Sequence, residues 1–147
     1  MTDEEILAHA HERAKDAKLP YAGALLPAEA WQLAQHAGAK LVDVRTRAEW
    51  EWVGHVPGSV EIEWNSWPGG TRNEQFLEQL KSQVPTTAPV LFLCRSGARS
   101  HQAAVAAAGA GYRAFNVLEG FEGDKDQSGH RQTIGGWKVA GLPWTQG

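Results

Sequence analysis

The sequence predicts an α/β domain built around a mostly parallel sheet flanked by helices, with a helical extension at the N-terminus. Three observations carry that expectation. Short apolar, β-branched runs alternate with stretches of helical spacing along the chain, the pattern of parallel strands joined by right-handed crossovers. One run, "PVLFLC" at 89–94, is apolar throughout, as a strand buried on both faces of a sheet must be. The chain has 147 residues, the length of one domain that can bury a core without staples.

Thr2-Asp3-Glu4-Glu5 has the form of a capping box, a hydroxyl three residues before a glutamate. Ile6, Leu7, Ala10, Ala14 and Ala17 follow at helical spacing, so a helix is expected over 3–17, ended by Pro20 and Gly23. A second helix should begin at Pro27, because proline suits a first turn, and stop at Gly38. Residues 1–37 thus read as a helical extension packed on the domain, and 38–147 as the domain itself. "AKLVDVRT" has the look of a buried strand ending near Val44. "RAEWEWVG" should be a short helix closed by Gly54. Pro57-Gly58 marks a turn, and Val60 and Ile62 alternate in strand fashion. "NEQFLEQLKSQV" is amphipathic, with Phe76, Leu77, Leu80 and Val84 on one side. After "PVLFLC" comes "ARSHQAAVAAAGAG", a helix rich in alanine, the best helix former. "YRAFNVLEG" reads as a strand, residues 120–136 as a polar, glycine-rich loop, and "GWKVAGLPW" as a last helical turn.

The net charge is −3. Nucleic acid and anionic membranes select a basic excess, so neither is an expected partner. The single cysteine, Cys94, excludes an internal disulfide and suits a reducing compartment. The first residues lack the basic and apolar regions of a signal peptide, and no run approaches the ~18 apolar residues of a membrane span. A cytoplasmic location is the expectation.

Chemistry concentrates in "CRSGARS", residues 94–100. Cys94 ends a central strand, and ligands of open α/β sheets bind beyond the carboxyl ends of the strands. The following residues turn into a helix, and free N–H groups at a helix N-terminus attract anions and favour a thiolate, the nucleophilic form of cysteine. Arg95 and Arg99 add two permanent positive charges. Gly97 permits a backbone conformation that other residues resist. Ser96 and Ser100 can donate to an anion or to the sulfur, and Ser100 can equally cap the helix. A lone cysteine after an apolar run is ordinarily an inert hydrophobe, but such a thiol has no use for two arginines and a glycine within five residues. Asp43 and Arg45 lie beside a buried strand, where pairing and hydrogen bonds that hold the loops near the site are their expected role, with a direct substrate role for Arg45 as the alternative. His55 is expected to support its turn, and His101 is assigned no role. His9 and His11, two residues apart, do not share a helix face, so no metal site is expected there.

"CRSGARS" after "VLFL" resembles the active-site loop of the rhodanese family of sulfurtransferases. Asp43-Val44-Arg45, Glu49-Trp50 and Gly54-His55-Val56-Pro57-Gly58 resemble that family's upstream motif, and "NVLEGFEG" resembles its closing strand and turn. The resemblance spans roughly 38–144. It implies a rhodanese-like domain and a two-step, covalent reaction. The Cys94 thiolate takes the outer sulfur of a small anionic donor such as thiosulfate, and the persulfide passes it to a thiophilic acceptor, cyanide in the usual assay or a protein. Arg95, Ser96, Gly97, Ala98, Arg99 and Ser100 would hold the donor and the departing sulfite. No metal or organic cofactor is implied. The family's topology also suggests that Trp64, Trp67 and Trp137, among seven tryptophans, wall the pocket.

Two other functions share this fold. Phosphatases and arsenate reductases place one more residue between the cysteine and the anion-binding arginine. Here four residues separate Cys94 from Arg99, a smaller nest that suits a sulfur better than a phosphoryl group. Non-catalytic binding modules and sulfur carriers are the other alternative; the modules commonly lack the cysteine.

Overall fold

The structure, a computed structural model, describes residues 1–147. Ten elements follow in chain order: α1 (Asp3–Asp16), β1 (Gly23–Leu25), α2 (Pro27–His36), β2 (Lys40–Asp43), α3 (Arg47–Trp52), β3 (Val60–Glu61), α4 (Phe76–Gln83), β4 (Val90–Leu93), α5 (Ala98–Gly109) and β5 (Ala114–Val117). The strands form one parallel sheet in the order β1-β5-β4-β2-β3.

Alternation along the strands divides the core in two. Val42, Val44, Phe92 and Cys94 face one side, where they meet Phe76 and Leu80 of α4 and Ala103, Ala104 and Ala107 of α5. Leu41, Leu91, Leu93, Phe115 and Val117 face the other, against Ile6 and Ala10 of α1 and Ala30 and Leu33 of α2. Ala103, Ala104 and Ala107 are fully buried, and their small side chains let α5 lie close to the sheet. Cys94 therefore continues the α5 face of β4, and Asn116, two residues on from Ala114 on β5, lies on the same face.

The helix signals in the sequence are present as hydrogen bonds. Glu5 N donates to Thr2 Oγ1 at 3.1 Å and Thr2 N to Glu5 Oε1 at 3.2 Å, the reciprocal capping box of α1. Pro27 opens α2. α4 starts later than its amphipathic pattern, because Asn73 holds a turn: its Oδ1 accepts from Gln75 N at 3.1 Å and its carbonyl from Phe76 N at 3.2 Å. The last helical turn expected in "GWKVAGLPW" is a hydrogen-bonded turn, with Ala140 N donating to Gly136 O and Gly141 N to Lys138 O. No helix is long and apolar enough to cross a membrane.

The N-terminal 37 residues contain more than helices. Residues 23–25 are an edge strand paired with β5, in register Gly23 with Phe115 and Leu25 with Val117. Three residues are too few for a period to show, so the sequence pattern passes over this strand. Its glycine is a packing necessity. A Cβ on Gly23 would stand 2.8 Å from the Phe115 ring and 2.9 Å from Ala10 Cβ, so α1 crosses the sheet edge only where a side chain is missing. Gly23→Ala should lower stability by about 1–3 kcal/mol through overpacking. Urea unfolding should show a lower midpoint at an unchanged slope; an unchanged midpoint would mean that α1 does not press on β1.

Candidate active site

Cys94 is the first residue beyond β4 and is 1% exposed. The chain then turns through Gly97, whose φ of +111° suits glycine, and α5 begins at Ala98. This turn brings the Gly97 N–H to Cys94 Sγ at 3.1 Å. Ser100, fully buried one turn further, places its Oγ 3.2 Å from the same sulfur. Ser100 Oγ also donates to Asn116 Oδ1 at 2.6 Å, and Asn116 Nδ2 donates to the Gly97 carbonyl at 3.2 Å. A hydroxyl has one proton. With that proton on Asn116, the sulfur contact of Ser100 is an acceptor's, and the thiol S–H donates.

A second turn holds the loop from below. Phe121 N donates to the Cys94 carbonyl at 2.8 Å and Glu122 N to the Arg95 carbonyl at 3.0 Å. Gly120, at φ +65°, permits this approach: a Cβ there would lie 2.5 Å from backbone atoms of Cys94 and Arg95. Glu119 Oε1 accepts from Gly136 N at 2.9 Å, which ties that turn to the C-terminal segment.

The arginines divide. Arg99 Nη1 and Nη2 donate to the two Glu49 oxygens at 2.7 and 3.0 Å, a bidentate pair. Glu49 also closes the capping box of α3, accepting from Thr46 N at 3.1 Å. Burial alone would raise the Glu49 carboxyl, but the Arg99 guanidinium outweighs it and holds the group below the usual carboxylate range. Burial likewise works against the Arg99 charge, and the Glu49 carboxylate more than compensates, so its proton is held more tightly still. Arg95 is exposed and forms no ion pair. Ser96 is half-buried and Ala98 exposed. Arg45 and Asp43 are fully buried and joined by Nη2 to Oδ2 at 2.7 Å. His55 pairs with Thr145 through both backbone groups, at 2.8 and 2.9 Å, and its ring Nδ1 lies 3.3 Å from the Trp50 carbonyl. His101 Nδ1 lies 2.7 Å from the Tyr21 hydroxyl.

A cleft of about 500 Å³ opens over the loop, lined by Glu49, Trp52, Trp67, Arg95, Arg99 and Arg131 among others. Of the three tryptophans expected there, only Trp67 lines it. Trp64 and Trp137 are 5% and 0% exposed and belong to the core; their indole N–H groups donate to Gln102 Oε1 and the Pro143 carbonyl. Trp52, Asn116 and Arg131 escape the sequence reading. Asn116, a polar residue in the middle of the apolar "AFNV", was the one legible sign.

The Glu49–Arg99 pair fixes one acid-sensitive feature. A carboxylate held below its ordinary value of about 4.3 contributes stability that is fully present above that pH and is lost as pH falls through the lower, folded value. Glu49→Gln should therefore flatten the acid limb of the stability profile, read as unfolding free energy against pH from 7 to 3. An acid limb of unchanged steepness would show that the pair contributes nothing there.

The comparisons with known proteins agree with this architecture. The family model of the rhodanese-like domain matches residues 26–127, so α2 lies within the matched region. The crystal structure of Rv0390 from M. tuberculosis superposes with a TM-score of 0.77 and 46% sequence identity, over 86% of this chain and 99% of that one. The uncharacterized protein RC0915 of Rickettsia conorii is 38% identical over 117 residues, covering 76% of this chain and 87% of its own. A rhodanese-like domain protein from Staphylococcus aureus, at 21% identity and a TM-score of 0.54 over 66% of this chain and 85% of that one, shares the fold. With its parallel five-stranded sheet and a cysteine loop at the carboxyl end of the central strand, the chain belongs to the family of rhodanese-like domains.

Proposed function

We propose that the chain is a sulfurtransferase that carries a sulfane sulfur on Cys94. One observation carries the reading: the only thiol of the chain sits at the carboxyl end of β4 with an N–H donor and a hydroxyl on its sulfur, beneath a cleft with an unpaired arginine.

The Cys94 thiolate attacks the outer sulfur of thiosulfate or a similar donor. A Cys–S bond forms, the donor's S–S bond breaks, and sulfite leaves with the electron pair. A thiophilic acceptor such as cyanide then attacks the terminal sulfur, giving thiocyanate and restoring the thiolate. Gly97 N–H stabilises the negative charge on Cys94 Sγ in the thiolate. Ser100 completes this: once the thiol has ionised, its hydroxyl turns from Asn116 to donate to the sulfur. Arg95 meets the anionic donor and the departing sulfite. Arg99, with its fork on Glu49, holds the start of α5 against α3 and adds its charge from there. Ser96 and Ala98 supply backbone to the nest.

Mass spectrometry after incubation with thiosulfate should show a gain of one sulfur that cyanide removes and that Cys94→Ser abolishes. No gain would reject thiosulfate as donor, and assays with a phosphate ester and with arsenate would then test the other chemistries of this fold. Ser100→Ala removes a hydrogen bond to a charged group, and at neutral pH alkylation of Cys94 by iodoacetamide should slow by about 10-fold. An unaltered rate would assign the Ser100 hydroxyl to the fold alone.

A further inference from the structure

A tyrosine from outside the family's matched region reaches the back of the cysteine loop. Tyr21 lies between α1 and β1, ahead of residue 26, where the match to the family model begins. It is 7% exposed and belongs to the same core cluster as Cys94, Ala103 and Ala104. The next residue anchors it, since Ala22 N donates to the Ala114 carbonyl at 2.9 Å. The Tyr21 ring meets His101 edge-on, with centroids 5.4 Å apart, and its hydroxyl lies 2.7 Å from His101 Nδ1. Burial pushes the Tyr21 hydroxyl up, and the Asn116 side chain, which faces the same oxygen, opposes that rise. The N–H side of an amide favours a charged oxygen in this way.

The protons in these contacts run one way. Cys94 S–H donates to Ser100 Oγ at 3.2 Å, and Ser100 donates to Asn116 Oδ1 at 2.6 Å. One N–H of Asn116 goes to the Gly97 carbonyl at 3.2 Å. An amide nitrogen has two protons, and the second faces Tyr21. The Tyr21 proton is then free for His101 Nδ1, which accepts in the neutral ring. The run of contacts leaves α5 at Ser100 and returns to it at His101, the next residue.

Building on the sulfur-transfer reading, we infer that Tyr21 is a positioning residue for Cys94, acting through Asn116 and Ser100. Its hydroxyl holds the Asn116 amide, and Asn116 keeps the Ser100 hydroxyl at the sulfur. A helical serine without such a partner turns back to the carbonyl of the preceding turn, and its proton is lost to the thiolate. His101 fixes the Tyr21 hydroxyl by taking its proton. Tyr21 does not line the cleft, so its effect falls on the sulfur and not on what binds above it.

The test reads the pH profile of Cys94 alkylation by iodoacetamide, beside sulfur loading of the wild type from thiosulfate and from inorganic polysulfide. Tyr21→Phe removes one oxygen and keeps the ring. Its alkylation midpoint should rise by about half a pH unit and its rate at neutral pH fall by about 3-fold, the effect of one weakened hydrogen bond to the thiolate. Ser100→Ala should move the midpoint further in the same direction. Adding Tyr21→Phe to Ser100→Ala should then change nothing more, because both act through the Ser100 hydroxyl. The charged groups at this end of the sheet, Arg95, Arg99 with Glu49, and Arg45 with Asp43, are the same in all these variants. Lost packing alone would lower stability and leave the midpoint in place. If Tyr21→Phe fails to fold, His101→Leu takes the acceptor from the same hydroxyl and should move the midpoint the same way. A midpoint that stays or falls, or shifts that add in the double variant, overturns this inference; sulfur loading of the wild type then leaves sulfur transfer standing. Loading from neither donor overturns the sulfur-transfer reading, and this inference with it.

Discussion

The carboxyl edge of the sheet depends on one ion pair that water does not reach. Arg45 Nε lies 3.0 and 3.2 Å from the two oxygens of Asp43, and Nη2 lies 2.7 Å from Oδ2. The same Nη2 donates to the Gly54 carbonyl at 2.7 Å, just past the end of α3. The guanidinium carbon sits 4.2 Å from the centre of the Phe121 ring. Strand β2, the exit of α3 and the turn beneath the cysteine loop thus meet on a single side chain. Removing one partner of a buried pair strands a charge, at about 3–5 kcal/mol. That turn supplies the Phe121 and Glu122 N–H groups which hold the carbonyls of Cys94 and Arg95, so the pair sets the loop without touching it.

Positive charge at the loop is likewise split between a paired arginine and a free one. Two arginines within five residues suggest two anion ligands. In the fold, Arg99 is half-buried at the start of α5, and Glu49 faces it from α3 across the cleft floor. A buried guanidinium requires a carboxylate. Arg95, one residue past the strand, is exposed and remains free for a ligand. Without the Glu49 carboxylate the start of α5 would carry an uncompensated charge next to the sulfur, and the two helices would lose their only bidentate link.

Much of this was legible from the residues alone. The alternation of apolar runs and helical spacing, the Thr2–Glu5 box, Pro27 and the apolar "VLFL" each report local physics, and each corresponds to an element. Three placements were not legible, for a common reason, even where a residue such as Asn116 stands out in its strand. Strand β1 exists because α1 and β5 leave a slot for Gly23, which is a tertiary fact. Trp64 and Trp137 differ from Trp52 and Trp67 only in what surrounds them, and composition cannot rank tryptophans by burial. Asn116 belongs to the site because β5 lies beside β4 in the sheet, with Phe92 and Asn116 in register. Sequence order puts it sixteen residues from Ser100, its partner.

The site therefore has two parts with different physical demands. The sulfur lies in the core, 1% exposed, where the donors around it are fixed by strands and by a glycine that tolerates no Cβ. Small displacements there would break contacts of 3.1 and 3.2 Å, so that part cannot drift. The rim is made of the end of α3 and a loop, with indoles that few contacts restrain. Residues of that kind can change without disturbing the core. A fixed thiol beneath an exposed rim separates the groups that hold the sulfur from the side chains that face the cleft.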